Sequence, residues 1–83
     1  MDDRLYDDAL KLEAAVSQLQ SAISMGDPIA GLNAIRLVHE RLPDVAGELC
    51  LAASRAGFTN KRIANSLGVT RATLRGLREE ARA

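Results

Sequence analysis

Arg71 and Arg75 stand four residues apart in a segment, VTRATLRGL from Val69 to Leu77, in which Leu74 and Leu77 share one side of a helix and Val69 is placed to plug the angle before it. If those three face a core, a turn of about 100° per residue sends Arg71, Ala72, Arg75, Gly76, Glu79 and Arg82 to the opposite, exposed side. A guanidinium carries its N–H donors in a rigid fork. Two such forks on one helix face can grip phosphate oxygens or the paired acceptors on a guanine edge. Asn60, Lys61 and Arg62 open another short helical run just upstream, where free backbone N–H groups and the positive dipole end also favour phosphate. Thr73 turns partly sideways and is placed for a phosphate or a thymine methyl, and Arg78 and Arg55 flank the surface as secondary phosphate contacts. Gly76 costs about 1 kcal/mol against alanine inside a helix. An outward glycine either lets the backbone approach a ligand closely or is simply tolerated.

Catalytic chemistry has no such support. The six glycines form no phosphate-binding loop, and the single histidine, His39, has no nucleophile to activate. The acid pairs Asp7/Asp8 and Glu79/Glu80 are adjacent in sequence, hence about 100° apart on a helix and not aimed at one substrate. One cysteine and one histidine cannot build a structural zinc site, and a lone Cys50 cannot close an intrachain disulfide. His39 reads as a surface or interface residue and Cys50 as a small buried apolar one. No enzyme activity, cofactor or metal is expected.

The formal charge is zero, but it is not spread evenly. Residues 1–50 hold nine Asp/Glu against four Lys/Arg, net minus five, and residues 51–83 hold two against seven, net plus five. The positive end coincides with Arg71 and Arg75 and would attract phosphates, while the acidic half would be repelled from a duplex. With one tyrosine, one phenylalanine and no tryptophan, the chain lacks an aromatic ladder for stacking unpaired bases. Asp2 and Asp3 after Met1 are the opposite of a signal peptide's basic start, and no apolar run reaches the length of a membrane span, so a cytoplasmic protein is expected, without membrane contact.

The elements that must position these residues all read as helix, giving an all-α chain of about five helices. Asp2 and Asp3 offer an N-cap, after which Leu5, Ala9, Leu12, Val16, Leu19 and Ile23 recur at alternating steps of four and three. This is a heptad seam, with Ala9, Val16 and Ile23 at a-type and Leu5, Leu12 and Leu19 at d-type positions, suited to a dimer interface or to packing within the chain itself. Met25-Gly26-Asp27-Pro28 ends that helix and starts a second, in which Ile29, Leu32, Ile35, Val38 and Leu42 share a side widened by Leu37. Leu42-Pro43-Asp44 repeats the punctuation, so that Asp44 is expected to cap a third helix carrying Val45, Leu49, Cys50, Ala53 and Ala56 inward, with Ala52 enlarging that face, closed by Gly57. Phe58 is placed as a hydrophobic staple at the entry to the next helix, and the residues after Arg78 are expected to fray because Ala81 and Ala83 offer little to hold them. Eighty-three residues are expected to make one compact domain, with a helical region over 1–42, the candidate dimerisation region, and a second region over 44–83.

Counted as a frame of twenty from Asn60, Ile63 falls at the fourth position, Ala64 at the fifth, Leu67 at the eighth, Gly68 at the ninth, Val69 at the tenth, Leu74 at the fifteenth and Leu77 at the eighteenth. In all seven slots the segment resembles the helix-turn-helix superfamily of DNA-binding proteins, with a flavour of the bacterial motifs in transposases, sigma-factor-like adaptors and small regulators. The resemblance covers about a quarter of the chain, or Asp44 onwards if 45–56 supplies the support helix. It implies a tri-helical C-terminal region whose last helix, over 70–82, enters the major groove, bringing Thr70, Arg71, Ala72 and Arg75 nearest to base edges. A small sequence-specific double-stranded DNA-binding protein, a homodimeric transcriptional regulator in the bacterial nucleoid, is the first expectation. The alternatives are an adaptor that uses the same fold to hold a protein partner such as a sigma factor, polymerase subunit or toxin, and a sequence-tolerant nucleoid-associated protein.

Overall fold

Gly26-Asp27-Pro28 does what its chemistry dictates. The Gly26 N–H donates to the Ile23 carbonyl at 3.2 Å and the Asp27 N–H to that of Ala22 at 2.9 Å, which closes the first helix. The Asp27 carboxylate then accepts from the Ala30 N–H at 3.1 Å and caps the second. The computed structural model of the protein describes residues 3–82, and the side chain of Arg82, the proposed cap residue Asp2 and the terminal Ala83 lie outside what is described. Among the described residues the fold is all-α, with α1 over Asp3–Met25, α2 over Pro28–Arg55, α3 over Asn60–Leu67 and α4 over Arg71–Arg82.

Four helices replace the expected five because Pro43 does not stop α2, and Asp44, expected as a cap, sits inside the helix. A proline here forfeits the bond to the His39 carbonyl and crowds that turn, at a cost of about 3 kcal/mol. The sheltered positions keep a helical spacing through the proline. Ala34, Val38, Arg41 and Val45, buried or half-buried, follow one another at steps of four, three and four straight across the proline. Contacts nevertheless divide between Leu42 and Pro43, so the chain forms two compact units, a helical hairpin and a C-terminal unit, with α2 contributing to both.

Within the hairpin the large apolar residues are not the ones that meet. Leu5, Ala15 and Ala22 of α1 and Gly31 and Ala34 of α2 are buried. A Cβ on Gly31 would lie 3.8 Å from that of Ala22, so small residues let the two backbones approach. The expected seam is therefore split. Leu5 is buried and Leu12 and Leu19 half-buried, whereas Ala9, Val16 and Ile23 are exposed. The face expected of α2 is likewise turned away, since Ile29, Leu32, Ile35 and Leu42 are exposed while Leu37 and Val38 are half-buried. Heptad spacing fixes which residues share a stripe, but the small-residue stripe beside it wins the close contact.

The C-terminal unit is built conventionally. Cys50, Ile63, Ala64 and Leu74 form its core, with Ala53 and Val69 packed against them. The inward face of 43–55 also differs from expectation: Gly47 and Leu51 are buried with Cys50, Val45, Ala52 and Ala53 are half-buried, and Leu49 and Ala56 are exposed. Gly47 explains the rotation. A Cβ there would lie 2.6 Å from the Leu77 carbonyl oxygen and 3.0 Å from the Ala81 Cβ, so α4 crosses directly over the glycine. This contact also half-buries Ala81 and carries the helix to Arg82, correcting the expected fraying beyond Arg78.

Candidate nucleic-acid interface

The turn that orients the basic helix is built from local chemistry. The Thr59 hydroxyl accepts from the Arg62 N–H at 3.2 Å and caps α3, and Ile63 and Ala64 one turn on are buried. Gly68 closes the helix in a left-handed conformation at φ 78°, its N–H donating to the Ala64 carbonyl. A side chain there would strain the backbone. The Val69 N–H donates to the same carbonyl at 3.0 Å, which turns half-buried Val69 onto the core. The Thr70 hydroxyl then accepts from the Thr73 N–H at 3.2 Å and caps α4, and the two threonine hydroxyls share a further bond of 3.0 Å.

Leu74, at 0 % exposure, fixes the rotation of α4 about its axis, with Leu77 and Arg78 half-buried beside it. Arg71, Ala72, Arg75, Gly76 and Glu79 consequently stand exposed. No described residue engages the Arg71 or Arg75 guanidinium, and a Cβ at Gly76 would meet nothing within 4 Å. Of the four residues expected nearest to base edges, Arg71, Ala72 and Arg75 are free, while exposed Thr70 is already committed as the cap.

The residues expected to contact phosphate separate into two groups. Asn60, Lys61, Arg62 and Thr73 are exposed, as is Arg55. The Arg62 guanidinium lies 5.0 Å from the centre of the Phe58 ring, a cation–π arrangement that holds it in place. The Thr73 hydroxyl is paired with that of Thr70. Arg78 turns inward, its Nη1 donating to the Ser54 Oγ at 3.4 Å, and ties α4 to the end of α2. Burial pushes the nearby Cys50 thiol above its ordinary range, with the Arg78 charge pulling the other way. His39 is exposed and Cys50 buried.

Sequence reasoning missed Gly47, Leu51 and Ser54. The signal for Gly47 was present, a glycine inside a helical run, which marks a close backbone approach. Nothing in the sequence pointed to Ser54 as a partner twenty-four residues before Arg78. Leu67, at the eighth position of the frame, is 41 % exposed. With Leu49, Cys50, Ala53, Phe58 and Ile63, that side chain lines an open apolar groove of about 400 Å³ on the C-terminal unit. Among the described residues no cluster of His, Cys, Asp or Glu could hold a metal ion. No helix among them is long and apolar enough to cross a membrane.

No protein-family model matches this chain, and neither the curated proteins nor the solved structures include a significant match to it.

Proposed function

We propose that the protein is a sequence-specific double-stranded DNA-binding protein of the helix-turn-helix type, a transcriptional regulator that works as a homodimer in the nucleoid and inserts α4 in the major groove. The observation that carries this reading is the free, exposed pair Arg71 and Arg75 on α4, the helix whose rotation fully buried Leu74 fixes. A helix so fixed presents two unengaged guanidinium forks one turn apart, with Ala72 and Gly76, each next to one of them in sequence, adding no bulk. Asn60, Lys61 and Arg62 at the start of α3 would take the flanking phosphates, and Arg78 would serve to position α4. The C-terminal unit favours a polyanion as a whole, since residues 43–83 hold seven Lys/Arg against four Asp/Glu.

In vitro selection of random duplex DNA at near-physiological salt tests the reading. The expected result is a palindrome with half-sites about one helical turn, roughly 34 Å, apart. Arg71→Ala and Arg75→Ala should each weaken binding to the selected site by about 1–3 kcal/mol with the fold intact. Absence of any enriched sequence would refute specific recognition. Binding that is strongly salt-dependent without enrichment would identify sequence-tolerant coating instead.

The apolar groove lined by Leu49, Phe58, Ile63 and Leu67 favours the second reading, an adaptor that receives the apolar face of a partner helix. Leu67→Asp separates the two. It should leave DNA binding intact on the first reading and abolish partner capture on the second.

A further inference from the structure

From the charge pattern and the two sides of the hairpin, we infer that the hairpin's exposed apolar side is the homodimer interface, on which a second copy of this chain packs by the same side to complete a four-helix bundle. The inference rests on the dimeric reading above and deepens it by naming a surface to which α2 contributes as much as α1.

The hairpin has contact residues but no layer to pack on. Its buried residues are Leu5 with the small Ala15, Ala22, Gly31 and Ala34. The bulky ones are outside: Val16 at 38 %, Ile23 at 71 %, Leu32 at 62 %, Ile35 at 40 % and Leu42 at 45 % exposure. Helices pack in layers around a shared core of large side chains, and this pair offers only one layer. Two right-handed helices joined by a tight turn run antiparallel. On α1 the exposed stripe lies clockwise of the small-residue contact, viewed from that helix's N-terminus, and the same holds on α2 viewed from its own. Antiparallel helices therefore turn both stripes to one side of the hairpin. The other side differs in chemistry, with a hollow bordered by Ser17, Gln18, Ser21 and Asn33.

Charge identifies the occupant. Between Ala14 and Ile35 the only charged residue is Asp27, and its carboxylate is occupied as the cap of α2. A two-fold interface sets each residue near its own counterpart or that of a neighbour, so like charges repel, and the stretch from Ala14 to Ile35 around the turn brings none but Asp27 to such a contact. A lipid surface would call for flanking basic residues, and residues 1–35 carry only Arg4 and Lys11. The alternating steps of three and four through Ala9, Leu12, Val16, Leu19 and Ile23 suit knobs-into-holes packing against helices of the same spacing. Leu32, Ile35 and Leu42 supply that spacing in the second copy. Two helices side by side from Leu5 to Ile23 span about 27 Å by 20 Å, roughly 540 Å² in outline before corrugation, about two-thirds of the 800 Å² that a standard interface takes from each partner.

Light scattering on the full chain without DNA is the test, so failure of the DNA reading leaves it untouched. The wild type should have twice the 8.9 kDa chain mass at tens of micromolar. Ile23→Glu with Leu32→Glu should give the single-chain mass with helical circular dichroism retained, while Gln18→Glu with Asn33→Asp on the opposite side should keep the dimer. A monomeric wild type would overturn the dimer and this surface together. A dimer that survives Ile23→Glu and Leu32→Glu would overturn the surface alone. Should the double variant unfold, filtered NOE spectra of mixed labelled and unlabelled wild type decide. Intermolecular signals at the Val16, Ile23, Leu32 and Ile35 methyls support the interface; signals confined to other residues refute it.

Discussion

The two units of the chain bury opposite kinds of residue. The C-terminal unit puts Ile63 and Leu74 inside and its arginines outside, while the hairpin puts alanine and glycine at the contact and Ile23, Leu32 and Ile35 in water. A unit of the first kind has its own core, and its exposed chemistry is free to act. In the second, much of the apolar surface stays in water. The difference teaches that helical content alone does not tell where a small protein gets its stability.

The sharpest way to break the comparison is Leu74→Ala. Loss of a fully buried leucine costs about 2–5 kcal/mol, so thermal denaturation followed by circular dichroism should show a large drop in stability. The hairpin counterpart, Leu10→Ala at a 47 % exposed site outside the inferred interface, should stay within about 0.5 kcal/mol. Equal losses would mean that the two units do not differ as described.

A smaller effect is expected at Gly47. Alanine there meets the Leu77 backbone, and overpacking of this kind costs about 1–3 kcal/mol. At Gly31, where a Cβ would find ordinary contact distance to Ala22, alanine should be neutral or stabilising by up to about 1 kcal/mol. Urea midpoints of the two variants, moving in opposite directions, would sharpen the contrast.

Gly76→Ala should stabilise α4 by about 1 kcal/mol, because open space surrounds a Cβ at that position. If α4 sits with its backbone close to a duplex, the same variant binds DNA more weakly; a stabilised protein with unchanged affinity would show that the glycine is merely tolerated.

The smallest effect is at Cys50. Burial raises its thiol pKa, so the folded state disfavours the thiolate. The corresponding stability is complete at pH below the ordinary thiol pKa and is lost gradually as pH rises through that value, where the unfolded chain ionises first. Alkylation of the native protein near pH 8 should be slow and become fast on addition of denaturant. Rapid native labelling would show that the C-terminal unit opens easily and is no better packed than the hairpin.

Much of the candidate site was legible because it depends on neighbours in sequence. Thr59, Gly68 and Thr70 act through bonds to residues three or four away, and Arg71 and Arg75 stand exposed on the helix that Thr70 caps. What stayed hidden involved distant residues. Arg78 reads as one more surface cation until Ser54 comes within reach, and Gly47 has no evident purpose until α4 crosses it.

The sequence by itself determined that this chain is helical, where α1 ends, how the α3–α4 turn closes and where the positive charge gathers, since each follows from local bonding, periodicity or a count of charges. Only the tertiary structure decided that α2 runs on through Pro43 and that the small residues of the hairpin meet while the large ones face water. Those outcomes turn on competition between non-local contacts: a proline's cost against the register of a long helix, and the close approach of alanine and glycine against the bulk of leucine and isoleucine. No single stretch of sequence contains both competitors.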